Sequence, residues 1–193
     1  MTPESIASLF EAARWSRRAF LQQLGTGAIA ALAIQDGLLP AQARAASIRH
    51  AVLTEAEVKA LEALGDTLLP GAAKAGIAHY VDKQLASREP LLMLRYLDFP
   101  MQLADFYRQG LAALDALATS RHQKTFSELS NTQRDGLVFA LAKTNPADWK
   151  GPPAPLFYFA LRADAVDTVY GTMQGFEALG IPYMAHIAPK ESW

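Results

Sequence analysis

Two four-residue stretches set the architecture open to this chain. Thr54-Glu55-Ala56-Glu57 and Ser130-Asn131-Thr132-Gln133 are capping boxes, in which a hydroxyl residue and an acid or amide three positions later close the first turn of a helix. Behind the first, Val58, Leu61, Leu64 and Leu68 recur on one helical face until Pro70-Gly71 stops the run. Behind the second come Leu137, Val138 and Leu141. Between them, Ile77, Tyr80, Val81 and Leu85 mark a short helix, and Pro90 opens an apolar segment with Leu91, Leu94 and Leu97 that breaks at Pro100. Leu103, Phe106, Tyr107, Leu111, Leu114 and Leu117 form the strongest amphipathic stretch. Four prolines and Gly151 make residues 145–155 a loop, and Pro155 then begins a last helix that Gly171 closes. No segment alternates with period two over a useful length. The expected fold is therefore all-α: a single orthogonal bundle of five to six helices with an irregular apolar C-terminal tail from Thr172.

Composition narrows the chemistry. With no cysteine among 193 residues, disulfides, thiolate metal sites, iron–sulfur clusters and c-type haem attachment are all excluded from this chain. A net charge of −1 argues against an electrostatic nucleic-acid binder. Charged residues make up only 19%, against roughly 25% in an ordinary soluble domain, while hydrophobic residues reach 51%.

The N-terminus reads as an address. Ser16-Arg17-Arg18-Ala19-Phe20-Leu21-Gln22 resembles a twin-arginine (Tat) export signal, with Arg17, Arg18, Phe20 and Leu21 as its signature residues. It leads into an uncharged run, Ala19 to Gln35, too short and too diluted by glycine and glutamine to span a bilayer. Two small-residue cleavage sites compete, Ala41-Gln42-Ala43 and Ala43-Arg44-Ala45. The expected division is a signal over residues 1–45 and one helical domain over residues 46–193. Tat substrates cross folded, usually because they hold a cofactor, so a chain without a cofactor site suggests that it carries something else across.

Candidate chemistry is sparse. His79 and Asp82 lie three apart on one helix face and suit a base with an orienting carboxylate, or else a solvated surface pair. Asp164 and Asp167 share a face and suit either a metal site or structural charges with Arg162 nearby. Asp66 and Asp82 form a pair only if the fold brings them together. His186 sits in the apolar tail, where a hydrogen-bonded packing histidine is the usual case. There is no Glu-x-x-His for a di-iron bundle, no G-x-S-x-G elbow, and no G-x-G-x-x-G in a strand–helix context. No catalytic, cofactor-binding or metal residue is assigned.

Several stretches together resemble the gluconate 2-dehydrogenase subunit 3 family. They are Leu53 to Glu57, Leu61 to Gly71, Ala75 to Leu85, Phe126 to Ser130, and the closing Leu179-Gly180-Ile181-Pro182. The Gly-Gly-Asn segment that many relatives carry after the last helix is absent from Tyr170 to Gly175. The resemblance implies a non-catalytic small subunit of a periplasmic dehydrogenase complex oxidising a sugar, polyol or sugar acid. FAD would sit in a glucose–methanol–choline-type large subunit, and haem c in a cytochrome subunit where one is present. The small subunit would stabilise the flavoprotein and escort it through the Tat translocon to the periplasm or the periplasmic face of the inner membrane. Expected partner contacts are Trp149, Phe157, Tyr158, Tyr170, Phe176, Tyr183, Met184 and Trp193. The competing expectation is a stand-alone periplasmic enzyme or binding module using His79/Asp82 or His186.

Overall fold

The computed structural model describes residues 38–181. Arg17, Arg18, Phe20 and Leu21, and likewise Tyr183, Met184, His186 and Trp193, lie outside the described residues. Eight α-helices follow one another with no strand among the described residues. They are α1 (Pro40–Ala45), α2 (Glu55–Leu68), α3 (Ala72–Ala75), α4 (Ile77–Ala86), α5 (Leu103–His122), α6 (Asn131–Lys143), α7 (Ala154–Tyr170) and α8 (Met173–Ala178). Two 3₁₀ turns, Met93–Leu97 and Phe126–Glu128, interrupt the connections on either side of α5.

Both capping boxes form as read. Thr54 Oγ1 accepts from the Glu57 amide while the Glu57 carboxylate accepts from the Thr54 amide at 2.7 Å. Ser130 and Gln133 repeat the arrangement at the start of α6. A third box, Thr125 with Glu128, opens the second 3₁₀ turn and is not among the expected ones. The Thr125 bonds hold the Glu128 carboxyl below its usual range.

Two features differ from expectation. The apolar segment after Pro90 makes only a 3₁₀ turn, because Asp98 takes a left-handed conformation (φ 48°) and Pro100 bars continuation. The tail from Thr172 is irregular only in part: the Thr172 hydroxyl accepts from the Gly175 amide at 3.0 Å and starts α8. At the other end, α1 packs on α3 and α4, which binds residues 40–45 to the bundle.

Helix α7 organises the bundle, with α2, α3, α4, α5, α6, α8 and the first 3₁₀ turn all against it. Its Phe157, Ala160, Leu161 and Ala165 are fully buried. The Phe157 ring lies over Gly110 of α5, where an added Cβ would stand 2.2 Å from Phe157 Cε2. Glycine is therefore what lets α5 and α7 approach. Around that contact Phe99, Phe106, Phe157 and Trp149 form a chain of rings with successive centroids 5.7–5.9 Å apart. The loop before α7 is ordered by the Trp149 indole donating to the Pro152 carbonyl at 2.6 Å. Asn145 Oδ1 accepts from the Ala154 amide, also at 2.6 Å, and so caps α7.

Candidate functional site

The two carboxylates that looked chemically promising are both structural anchors. Asp82, on α4, is buried and accepts the backbone amides of Ala51, Val52 and Leu53, each at 2.8 Å. Its oxygens are thereby committed to the chain entering α2, and it does not orient His79. The His79 ring instead donates Nε2–H to the Ile48 carbonyl at 3.0 Å, which leaves Nδ1 as a buried acceptor without a partner. The His50 ring lies against it, centroids 4.2 Å apart, with its own Nε2 buried and unpartnered. Burial, and then the neighbouring His79, hold His50 below the usual histidine range. The pair is thus neither a catalytic dyad nor a solvated surface pair. Asp66 accepts from the Ala73 amide at 2.9 Å, so it and Asp82 serve different backbone segments and form no pair.

Asp164 is fully buried on α7. One carboxylate oxygen meets the Tyr107 hydroxyl of α5 in a short hydrogen bond, and the other accepts the Met93 amide of the first 3₁₀ turn at 3.3 Å. One side chain therefore ties three elements together. Burial pushes its carboxyl up to about 7, and the bonds from Tyr107 and Met93 pull back only part of the way. The same burial, with Asp164 alongside, raises the Tyr107 phenol well above its ordinary range. Asp167 is exposed whereas Asp164 is buried, and Tyr107 and Met93, not the expected Arg162, are the neighbours that bond Asp164. Among the described residues no group of three or more His, Cys, Asp or Glu is placed to hold a metal.

The expected partner contacts divide sharply. Trp149 and Phe157 are core residues, withdrawn from any surface by the ring chain that fills the space between α5 and α7. Tyr158, Tyr170 and Phe176 are half-buried. The large apolar side chains in solvent are others. On the outer face of α7, Phe159 and Val166 flank Arg162 at helical spacing, and Met173 of α8 is 57% exposed. The first 3₁₀ turn, packed on α7, presents Tyr96 (64% exposed) and Leu97. On α6, Phe139 is exposed beneath the Lys143 ammonium, 4.0 Å from the ring centroid. On α7 the sequence does not mark Phe159 and Val166 as outward, because apolar residues lie on every side of that helix while Asp164 and Thr168 are buried.

No helix among the described residues is long and apolar enough to cross a membrane. No curated protein and no solved structure matches the chain. The family model described as gluconate 2-dehydrogenase subunit 3 matches residues 55–184, from the first capping box of the bundle to beyond α8. Most of the chain is covered, and it belongs to the gluconate 2-dehydrogenase subunit 3 family.

Proposed function

We propose that this chain is the non-catalytic small subunit of a periplasmic FAD-dependent dehydrogenase acting on a sugar, polyol or sugar acid. It stabilises a glucose–methanol–choline-type flavoprotein and escorts it through the Tat pathway. The family match over residues 55–184 carries the reading. Two features support it. Asp82 and Asp164, the carboxylates best placed for chemistry, have their oxygens engaged by backbone amides and a tyrosine. Phe159, Val166, Tyr96 and Met173, by contrast, leave apolar surface in water on and beside α7, as a subunit built to be covered would. The low charged fraction of the sequence fits the same picture.

The decisive experiment co-expresses the chain with a glucose–methanol–choline-type flavoprotein from the same organism and measures flavin absorbance and dehydrogenase activity in the periplasm. The isolated chain is expected to be colourless and inactive, and the pair to copurify with flavin. Replacing Arg17 and Arg18 with lysine should strand both proteins in the cytoplasm. Export of the flavoprotein despite that block sinks the escort role. Turnover by the isolated chain, lost in His79→Ala or His186→Ala, sinks the non-catalytic one.

A further inference from the structure

The segment from Pro40 to Leu53 contains both Ala-x-Ala sites, yet its backbone is bound into the body of the fold at every few residues. At its start, the Pro40 carbonyl lies so close over Gly76 that a Cβ there would stand 2.3 Å from the carbonyl oxygen. Gly76 also has φ +87°, so two independent constraints demand glycine at the seat of this contact. In α1 the Arg44 guanidinium pairs with Glu62 of α2 at 2.9 Å. The chain then turns back on itself, with the Ala46 and Ile48 amides donating to Gln42 and Ala43. The Ile48 carbonyl accepts from His79, and the His50 ring stacks on His79. Finally, the Ala51, Val52 and Leu53 amides converge on Asp82, and Arg108 of α5 donates to the Val52 carbonyl at 2.6 Å.

A six-residue helix has too few turns to persist by itself, so α1 exists because it is docked. Its side chains are largely exposed, but exposure alone does not make a substrate. Proteases take their substrates extended, at about 3.3 Å per residue rather than the 1.5 Å of a helix. Threading either Ala-x-Ala site into such a cleft requires lifting residues on both sides, which frees the Pro40 seat and the Arg44–Glu62 pair and strains the Ile48–His79 bond. The preferred sites of nicking are loop tips whose backbone is unbound, and this backbone is bound.

We propose that residues 40–53 form a strap that stays on the mature protein, with the bonds after Ala43 and Ala45 closed to the signal-processing protease once the chain has folded. The proposal rests on the export reading for its biological setting, because a chain exported folded would meet that protease with the strap already in place.

Two arms test it. In the first, the exported protein is recovered from the periplasm and its intact mass measured. An N-terminus at or before Pro40 is expected, and one at Arg44 or Ala46 overturns the proposal. The second arm needs no export, so it stands even if the twin-arginine reading fails. The purified full chain is treated with trypsin, for which Arg44 is a cleavage site. A fragment beginning at Ala45 should form at least ~100-fold more slowly from the native protein than from the urea-unfolded one. Asp82→Ala and Gly76→Ala should each speed its release. Because either variant could unfold the whole bundle, amide exchange on the unmodified protein is read as well. The Ala51, Val52 and Leu53 amides should exchange at least ~10³-fold more slowly than in an unstructured peptide. Fast exchange at those three amides, or native cleavage after Arg44 at the unfolded rate, overturns the strap.

Discussion

Asp164 makes a sharp prediction about pH. Its carboxyl is fully buried and titrates near 7, against 3.8 for the ordinary group. The unfolded chain therefore releases this proton at lower pH than the native one does. Below about pH 4 the group is protonated in both states and costs nothing. Between about pH 4 and pH 7 the native protein holds a proton that the unfolded chain has lost, so stability falls as pH rises. A gap of roughly three units at 1.36 kcal/mol each amounts to about 4 kcal/mol, and above pH 7 the loss is complete and flat. Asp164→Asn removes the titration and keeps the shape: its carbonyl oxygen accepts the Met93 amide and its NH2 meets the Tyr107 oxygen. The assay is urea unfolding of both proteins at half-unit steps from pH 4 to pH 8. Other groups titrate over the same range, His50 among them, with its stability contribution rising as pH increases through the window below 6.5. They are shared by both proteins, so the quantity to read is the difference between the two curves. That difference should fall by about 4 kcal/mol across the window, leaving the asparagine variant at least as stable as the parent at pH 7.5. Parallel curves, differing by a constant to within about 1 kcal/mol, would refute the assignment of a buried, proton-holding carboxyl.

Three further outcomes follow from the packing. Gly110→Ala drives a methyl into the Phe157 ring and should destabilise the bundle by about 1–3 kcal/mol, read as a lowered Tm with unchanged helical circular dichroism at low temperature. Thr54→Ala removes the oxygen that accepts the Glu57 amide at 3.3 Å and should cost about 1 kcal/mol in urea unfolding. A double replacement of Phe159 and Val166 by serine alters only exposed positions. It should leave stability within about 0.5 kcal/mol while lowering recovery of the copurified flavoprotein; undiminished recovery would remove this face from the interface.

The helices were legible because their signals are local. Thr54/Glu57 and Ser130/Gln133 satisfy amides three residues away, and Pro70 and Gly171 end helices by their own backbone chemistry. The 3₁₀ turn at Met93–Leu97 was not legible as such, since its leucines keep an apolar pattern, and the Asp164 carboxylate that accepts its Met93 amide lies 71 residues away. The same limit governed the carboxylates. Asp82 and His79 have a spacing that fits catalysis, and only the folded chain shows that Ala51, Val52 and Leu53 occupy the oxygens. Trp149 lies in a proline-rich loop, a position that suits a docking residue, but that loop folds inward and the indole closes on Pro152. Family membership came through most clearly, because order and spacing over residues 55–184 survive even where no single residue is diagnostic.

The tie between Tyr107 and Asp164 also bears on how quickly the bundle can assemble. It joins residues 57 apart, whereas Asn145 and Ala154, which pin the turn between α6 and α7, are only 9 apart. Closing the longer loop costs about 1.6 kcal/mol more chain entropy, so the α6–α7 hairpin is the natural first structure and the α5–α7 seam the slow one. Until that seam closes, Phe157 has no Gly110 to lie on, and the aromatic rings of the future core stay open to water. A nascent chain caught at this stage would display more sticky surface than the finished protein. The interval before α5 arrives is therefore when it most needs either speed or company.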